Sequence, residues 1–323
     1  MLHLPRRGAM LGAAGLLAAG PARAAGYPDH PVRIVVPFAP AGPTDIMART
    51  VAAYLGQRLG GSFIVENRPG AGGNIGAGAV AHVEADGYTL LVTSSALVVN
   101  PGLYKRVPYD ATKDFAPVTV LGTSPNVFLA GPASGIATLA DLVARAKAEP
   151  DALSYATPGI GTTPHLSGEL LKLRAGIRMT HVPFGGAGPA ITATLGSTTP
   201  IASVSLPAAR QLIASGTLVA LAVTGATRWP DLPDVPTMVE LGYKDFVTDT
   251  FQCLLAPMRT PPEIVASLAR TAMDILHTKA VADQLQGNGF EVLAEGPDNL
   301  RRRIEEELPK WRDLVAKAGI TPV

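Results

Sequence analysis

The stretch IVVPFAPAGPTDIMAR, Ile34 to Arg49, passes from an apolar run rich in β-branched residues through a Pro/Gly loop into helical spacing. Strand, short loop and helix form the unit from which parallel sheets with right-handed crossovers are built. The start of such a helix presents unpaired backbone N–H groups and the positive end of its dipole, a natural place for an anion. Yet this loop contains no lysine or arginine. A phosphate-binding GxxxxGK[ST] loop would supply a lysine, and that motif is absent from the chain, as are GxSxG and HExxH.

The same unit recurs on both sides. VRIVVP, Val32 to Pro37, is a strand, and Pro43 to Leu59 carries Ile46, Met47, Val51, Leu55 and Leu59 as a helical stripe. FIVE (Phe63 to Glu66), a small-residue helix from Asn74 to Ala85 and YTLLVTS (Tyr88 to Ser94) follow. GAGAVA, Gly76 to Ala81, fits a loose dinucleotide pattern, but it lies inside the helix and no acidic residue follows about 20 positions on, so it reads as close helix packing. VTVLG and NVFLAG lead into a second α/β unit with a helix capped by Thr138 and Asp141, the strands LSYAT, MTHV and LVALAVTG, and the loops PGIGTTPH and PFGGAGP. After the strand FQCLLAP, Phe251 to Pro257, three amphipathic helices without strands of their own are expected at Pro261–His277, from Ala280 and at Asp298–Ala318. The economical arrangement is two domains, 27–122 with 250–323 and 123–249, joined by two crossovers that form a hinge.

Composition narrows the function. With 323 residues, 47% apolar and 16% charged, the chain is long enough for two cores, and its 34 glycines and 29 prolines punctuate apolar runs. Residues 1–24, with Arg6-Arg7, a short apolar run and Ala22-Arg23-Ala24, read as a cleaved export signal, by either the general or the twin-arginine route. Without them 24 basic residues face 26 acidic ones, a balance unsuited to nucleic acid or to an anionic membrane surface. Cys253 is the single cysteine, set among apolar neighbours, so no intrachain disulfide forms and a nucleophilic role is disfavoured. The histidines are too scattered for a metal site, and no cofactor motif is present.

The positive signal is a set of four strand-to-helix loops rich in Gly, Pro, Ser and Thr: Phe38–Thr44, Thr93–Ala96, Thr157–His165 and Pro183–Pro189. In open α/β sheets ligands bind at the carboxyl ends of strands, where such loops lie. Two loops come from each domain, so both walls of an interdomain cleft would donate backbone hydrogen bonds.

The motifs VRIVVPFAPAGPTDIMAR, VENRPGAGGNIGAGAVA, DGYTLLVTSS, LYKRVPYDATKDFAPV, LVALAVTGATRWPDLPDVPTMVELGY and WRDLVAKAGI closely resemble the Bug-type extracytoplasmic solute receptors of the tripartite tricarboxylate transporter family. The resemblance covers essentially the whole chain after the export signal. It implies a two-lobed type II periplasmic binding protein fold, each lobe a mostly parallel sheet flanked by helices, with the ligand cleft between the lobes. It further implies a periplasmic monomer that closes on a small organic carboxylate and delivers it to a two-subunit membrane permease. The carboxylate would be held by Phe38, Ala39, Gly42, Thr44 and Asp45 of the first loop, although Asp45 also suits a helix cap. Ser94 and Ser95 would join them from the third strand, with Gly159, Gly161, Thr162, Thr163 and His165 from one loop of the second lobe and Gly185, Gly186 and Ala187 from the next. Asp249 and Thr250, on the returning crossover, are expected beside the cleft, where Asp249 would accept a ligand hydroxyl or ammonium. Two other readings remain: a sensing receptor that feeds a signalling partner, and a hydrolase that uses Ser94 or Ser95 with His165.

Overall fold

The computed structural model describes residues 26–317 together with Ile320 and Pro322; the export signal expected at 1–24 lies outside the described residues. The first lobe begins with strand β1 (Val32–Val36), helix α1 (Pro43–Leu59), β2 (Phe63–Asn67), α2 (Asn74–Ala81), β3 (Thr89–Ser94) and α3 (Ala96–Leu103). The long strand β4 (Phe115–Ala130) then carries the chain into the second lobe. There α4 (Leu139–Ala148), β5 (Ser154–Thr157), α5 (Thr163–Ala175), β6 (Thr180–Pro183), α6 (Ala187–Leu195), β7 (Ile201–Ser205), α7 (Leu206–Ala214) and β8 (Val219–Val223) follow. Strand β9 (Asp249–Pro257) returns to the first lobe, which α8 (Pro262–Leu276), α9 (Lys279–Gly287), β10 (Glu291–Glu295) and α10 (Pro297–Lys317) complete.

Each lobe is built on a parallel βαβ core: β1 pairs in parallel with β2 and β3, and β5 with β6 and β7. The crossover strands β4 and β9 pair antiparallel with each other and with their neighbours, and β8 and β10 join β4 antiparallel, so both sheets are mixed. VTVLG and NVFLAG are one continuous strand: the first part of β4 pairs with β9, the last part with β7 and β8. Two expectations change here. The small-residue helix ends at Ala81 rather than Ala85, and the C-terminal region does contain a strand, β10, which pairs with Thr123, Gly122 and Val120 of β4.

Burial follows strand alternation. Ile34 and Val36 pack beneath Met47, Val51 and Leu55 of α1 and Leu268 and Ile275 of α8, whereas Val35 faces Val80, Leu97, Ile304 and Trp311 on the other side. In the second lobe Phe128 and Ala130 face Leu142, Leu171 and Phe246, while Val127 and Leu129 face Ile191, Leu206 and Trp229. Helix α1 starts with Pro43 in its first turn and stops at Gly60, which adopts a left-handed φ of 74°. Helix α4 carries the capping box read from Thr138 and Asp141. A Cβ on Gly76 would meet Pro37 Cα at 2.8 Å, so the GAGAVA run serves close packing of α2 on the sheet. Cys253 is fully buried among apolar side chains, and burial pushes its thiol pKa up, away from reactivity.

Candidate functional site

Five helices of the two lobes start at one small cavity. It is lined by Phe38, Gly42, Pro43, Thr44 and Ser94 of the first lobe, Pro158, Thr162, Pro164, Ala187 and Ser205 of the second, and Thr250 of the crossover. Its volume is about 30 Å³. That is room for about two waters. Gly42, Thr162 and Ser205 are the N-caps of α1, α5 and α7, while Ser94 and Ala187 adjoin the caps Ser95 and Gly186 of α3 and α6. In none of these five helices does the N-cap side chain bond its own first turn. The orphan N–H groups and the positive dipole ends are therefore gathered at one place from both sides.

The lining has no charged residue. Phe38, three prolines and Ala187 form apolar walls, and Thr44, Ser94, Thr162, Ser205 and Thr250 add hydroxyls. An anion here would meet donors set between apolar walls, where charge-assisted bonds are strong and no charged side chain competes. Among the described residues no group of three or more His, Cys, Asp or Glu could hold a metal ion.

The polar floor is rigid on its second-lobe side. Asn126 Oδ1 accepts from Thr250 Oγ1 at 2.9 Å and from Ser205 Oγ at 3.2 Å, and its Nδ2 donates to Ser167 Oγ at 3.1 Å. Thr163 and Thr250 join their hydroxyls, which ties α5 to β9. The first loop is held from behind. Asp45 accepts from Ala41 N, Arg49 Nε and Asn67 Nδ2, each at 2.9 Å, and Asn67 Nδ2 also donates to Phe38 O at 3.0 Å. Burial raises the Asp45 pKa, but these donors outweigh it and hold the carboxyl below its usual range.

Glycines form the seam where the lobes meet. Ala39 N donates to Gly185 O at 3.1 Å, and Tyr104 Oη donates to Ile160 O at 3.1 Å. A Cβ on Gly186 would lie 2.8 Å from Ala39 Cβ, one on Gly161 1.7 Å from Asn100 Oδ1, and one on Gly72 2.0 Å from Ile160 O. VENRPGAGG therefore contributes to the seam through Gly72 and, through Asn67, to the support of the first loop.

Phe38, Gly42, Thr44, Ser94, Thr162, Ala187 and Thr250 are thus brought together as read from the sequence, while Ala39, Gly159, Gly161, Gly185 and Gly186 lie along the seam. Asp45 supports the first loop, Ser95 is buried at the start of α3, and Thr163 reaches the cavity only through Thr250. Asp249 is placed elsewhere. Successive strand residues face opposite ways, and because Thr250 faces the cavity, Asp249 lies on the far face, bonded to Thr123 Oγ1 and to Arg303. There it lines a separate groove of about 650 Å³ with Pro125, Trp229 and Phe290. His165 also lies behind the loop: its Nδ1 accepts from Gly161 N at 3.4 Å, and its ring stacks on His181 at 4.2 Å. Neither Ser94 nor Ser95 bonds His165, so the nucleophile–base contact of a hydrolase is not formed. Ser205 joins the cavity without being expected from the sequence, although it has the same strand-to-helix position, followed by Leu206-Pro207, as the four Gly/Pro/Ser/Thr loops.

A family model described as "Tripartite tricarboxylate transporter family receptor" matches residues 47–320. The chain belongs to this family. Protein BugT of Bordetella pertussis is 38% identical over 314 residues, covering 97% of this chain and 96% of that one. Among solved structures, R. palustris Rpa4515 with adipate superposes with a TM-score of 0.89 at 36% identity, covering 92% of this chain and all of the other. MatC from Rhodopseudomonas palustris with bound malate gives 0.85 at 32% identity, covering 90% and 100%. These relatives are solute-binding receptors rather than enzymes, and this receptor has the same α/β periplasmic binding protein fold. Among the described residues, no helix is long and apolar enough to cross a membrane.

The paired histidines give the receptor an acid-sensitive support. Burial lowers the pKa of His165 to about 4 against a weaker opposing pull from Glu169, and burial with the neighbouring His165 and Lys172 lowers that of His181 to about 3. An unfolded histidine titrates near 6.5, so below that pH the unfolded chain binds more protons than the folded one. Stability from these rings is fully present above about 6.5 and is lost as pH falls toward 4 and then 3. Urea midpoints between pH 7 and 4 should fall more steeply for the wild type than for a His165→Asn, His181→Gln double variant; parallel curves would contradict this.

Proposed function

We propose that this receptor captures a small organic carboxylate by closing its two lobes on it, and that it works as a periplasmic monomer which hands the ligand to a two-subunit membrane permease of the tripartite tricarboxylate type. One observation carries the reading: helix N-termini from both lobes converge on a cavity that has hydroxyls but no charged side chain. Donors from a single lobe would hold a carboxylate by half its shell; both halves engage only when the lobes come together. The ligand then stabilises the closed arrangement by its differential affinity. Adipate and malate, bound in the two related receptors, are both small dicarboxylates.

Energetics permit this without a salt bridge. Each charge-assisted hydrogen bond contributes about 1.5–3 kcal/mol, and a micromolar Kd corresponds to about 8 kcal/mol. Four or five amide and hydroxyl donors suffice, and release stays fast enough for delivery. A carboxylate of four to six carbons is larger than two waters, so its entry requires the cleft walls to part along the glycine seam. The paired arginines and apolar run near the N-terminus support export to the periplasm.

Two measurements test the proposal. In a thermal-shift screen of mono-, di- and tricarboxylates, at least one should stabilise the protein, by about 2.7 kcal/mol at a hundred times its Kd; no shift with any carboxylate would contradict it. Gly186 has an extended backbone, φ 162°, that any residue adopts, so an added methyl group meets an obstacle only across the seam. Gly186→Ala should weaken carboxylate binding by about ten-fold or more while leaving the Tm of the ligand-free protein within about 2 °C. Unchanged affinity would show that the seam need not close.

A further inference from the structure

The crossover ribbon of β4 and β9 is saturated with hydrogen bonds on one side of the cavity and conspicuously unsaturated on the other. Asn126, toward the second lobe, has partners for both amide atoms. Gln252, two residues beyond Thr250 toward the first lobe, is 0% exposed, and neither its Nε2 nor its Oε1 has a partner. Ser124 is also 0% exposed with an unpartnered hydroxyl. An unpaired buried amide or hydroxyl costs about 1–3 kcal/mol, so each such group calls for an explanation.

Register places these groups beside the cavity. Gln252 lies opposite Ser94 of β3, which lines the cavity, and Ser124 lies opposite Thr250, which also lines it. Cross-strand partners share a face, with Cβ atoms about 4.5–5.5 Å apart, and residues two apart on a strand are about 6.6 Å apart. A glutamine side chain spans such a gap by a change of rotamer. On its other edge Gln252 faces Gly122, where Glu291 O and Met47 Cε would lie 2.6 Å and 3.3 Å from an added Cβ, so the free direction for the glutamine is toward Ser94 and the cavity.

We propose that Gln252, assisted by Ser124, forms a second polar subsite under the cleft floor that reads an uncharged hydrogen-bonding group at the far end of the carboxylate ligand, a hydroxyl or a carboxamide. The proposal rests on the carboxylate reading of the cavity. The chemistry selects the class: an amide and a hydroxyl each donate and accept, as do a carboxamide and an alcohol on the ligand. A second carboxylate offers acceptors only, so it could pair with Nε2 but would leave Oε1 unpaired. Apolar ends leave both protein groups unpaired.

Matched ligand pairs test this: butyrate against 4-hydroxybutyrate, and glutarate against its monoamide, titrated by calorimetry into wild type, Gln252→Leu, Gln252→Met and Ser124→Ala. The wild type should prefer 4-hydroxybutyrate to butyrate, and the monoamide to glutarate, by about ten-fold or more. Both Gln252 variants should reduce that ratio to about one while binding butyrate within about two-fold of wild type, and Ser124→Ala should reduce it partly. Either Gln252 variant that folds, as judged by its Tm, decides the matter. A wild type that binds both members of each pair equally, or a ratio that survives in the Gln252 variants, would overturn the subsite and leave the carboxylate reading intact. Failure of the wild type to bind any of the four acids would overturn the subsite, whereas the carboxylate reading falls only if no carboxylate of the thermal-shift screen binds.

Discussion

Backbone N–H groups at a helix start have no partner within the helix, and the structure gathers five such starts around one point. Most of the architecture serves that constraint. Parallel βαβ units put every strand-to-helix turn of a lobe at the same sheet edge, and the two crossovers aim both edges at each other. Gathered donors repel one another and favour an acceptor between them. An acceptor of one unit charge, without a neighbouring cation, matches a carboxylate held reversibly, whereas a phosphate held for chemistry usually also recruits a lysine.

The second requirement is close approach. Backbones of the two lobes come near enough for Ala39 N to reach Gly185 O only because Gly186, Gly161 and Gly72 leave out a Cβ where one would collide. Asp45, Arg49 and Asn67 then hold the first loop from behind, so the site's precision comes from an ion pair and an amide that do not line it. Uncharged walls in front and an ion-paired brace behind are two parts of one solution.

Much of this was legible in the sequence. Alternating strand and helix patterns and the Gly/Pro/Ser/Thr loops between them point to an α/β fold and to the loops that carry Phe38, Gly42, Thr44, Ser94, Thr162 and Ala187, while the individual residues, with Thr250, follow from the resemblance to the receptor family. What escaped did so for physical reasons. Strand β10 is five residues of EVLAE between two glycines in a strongly helical region, and it exists because β4 offers an open edge. Asp249 and Thr250 are neighbours of similar polarity, so the parity that sends one to the cavity and the other to Arg303 appears only with the β4 register. His165 sits at a helix start yet turns behind the loop to stack on His181, a contact between residues 16 apart that no local pattern encodes. Ser205 ends a strand, IASVS, that runs into Leu206-Pro207 with no intervening loop, so no Gly/Pro/Ser/Thr cluster marks it in the sequence.

The most direct measurement of the central idea is a backbone amide NMR titration with a bound carboxylate. The account predicts that amides in the first turns of α1 and α3 in one lobe and of α5, α6 and α7 in the other shift together with one dissociation constant, while arginine and lysine side-chain signals stay unmoved. Shifts confined to one lobe, or led by an arginine or lysine side chain, would contradict it.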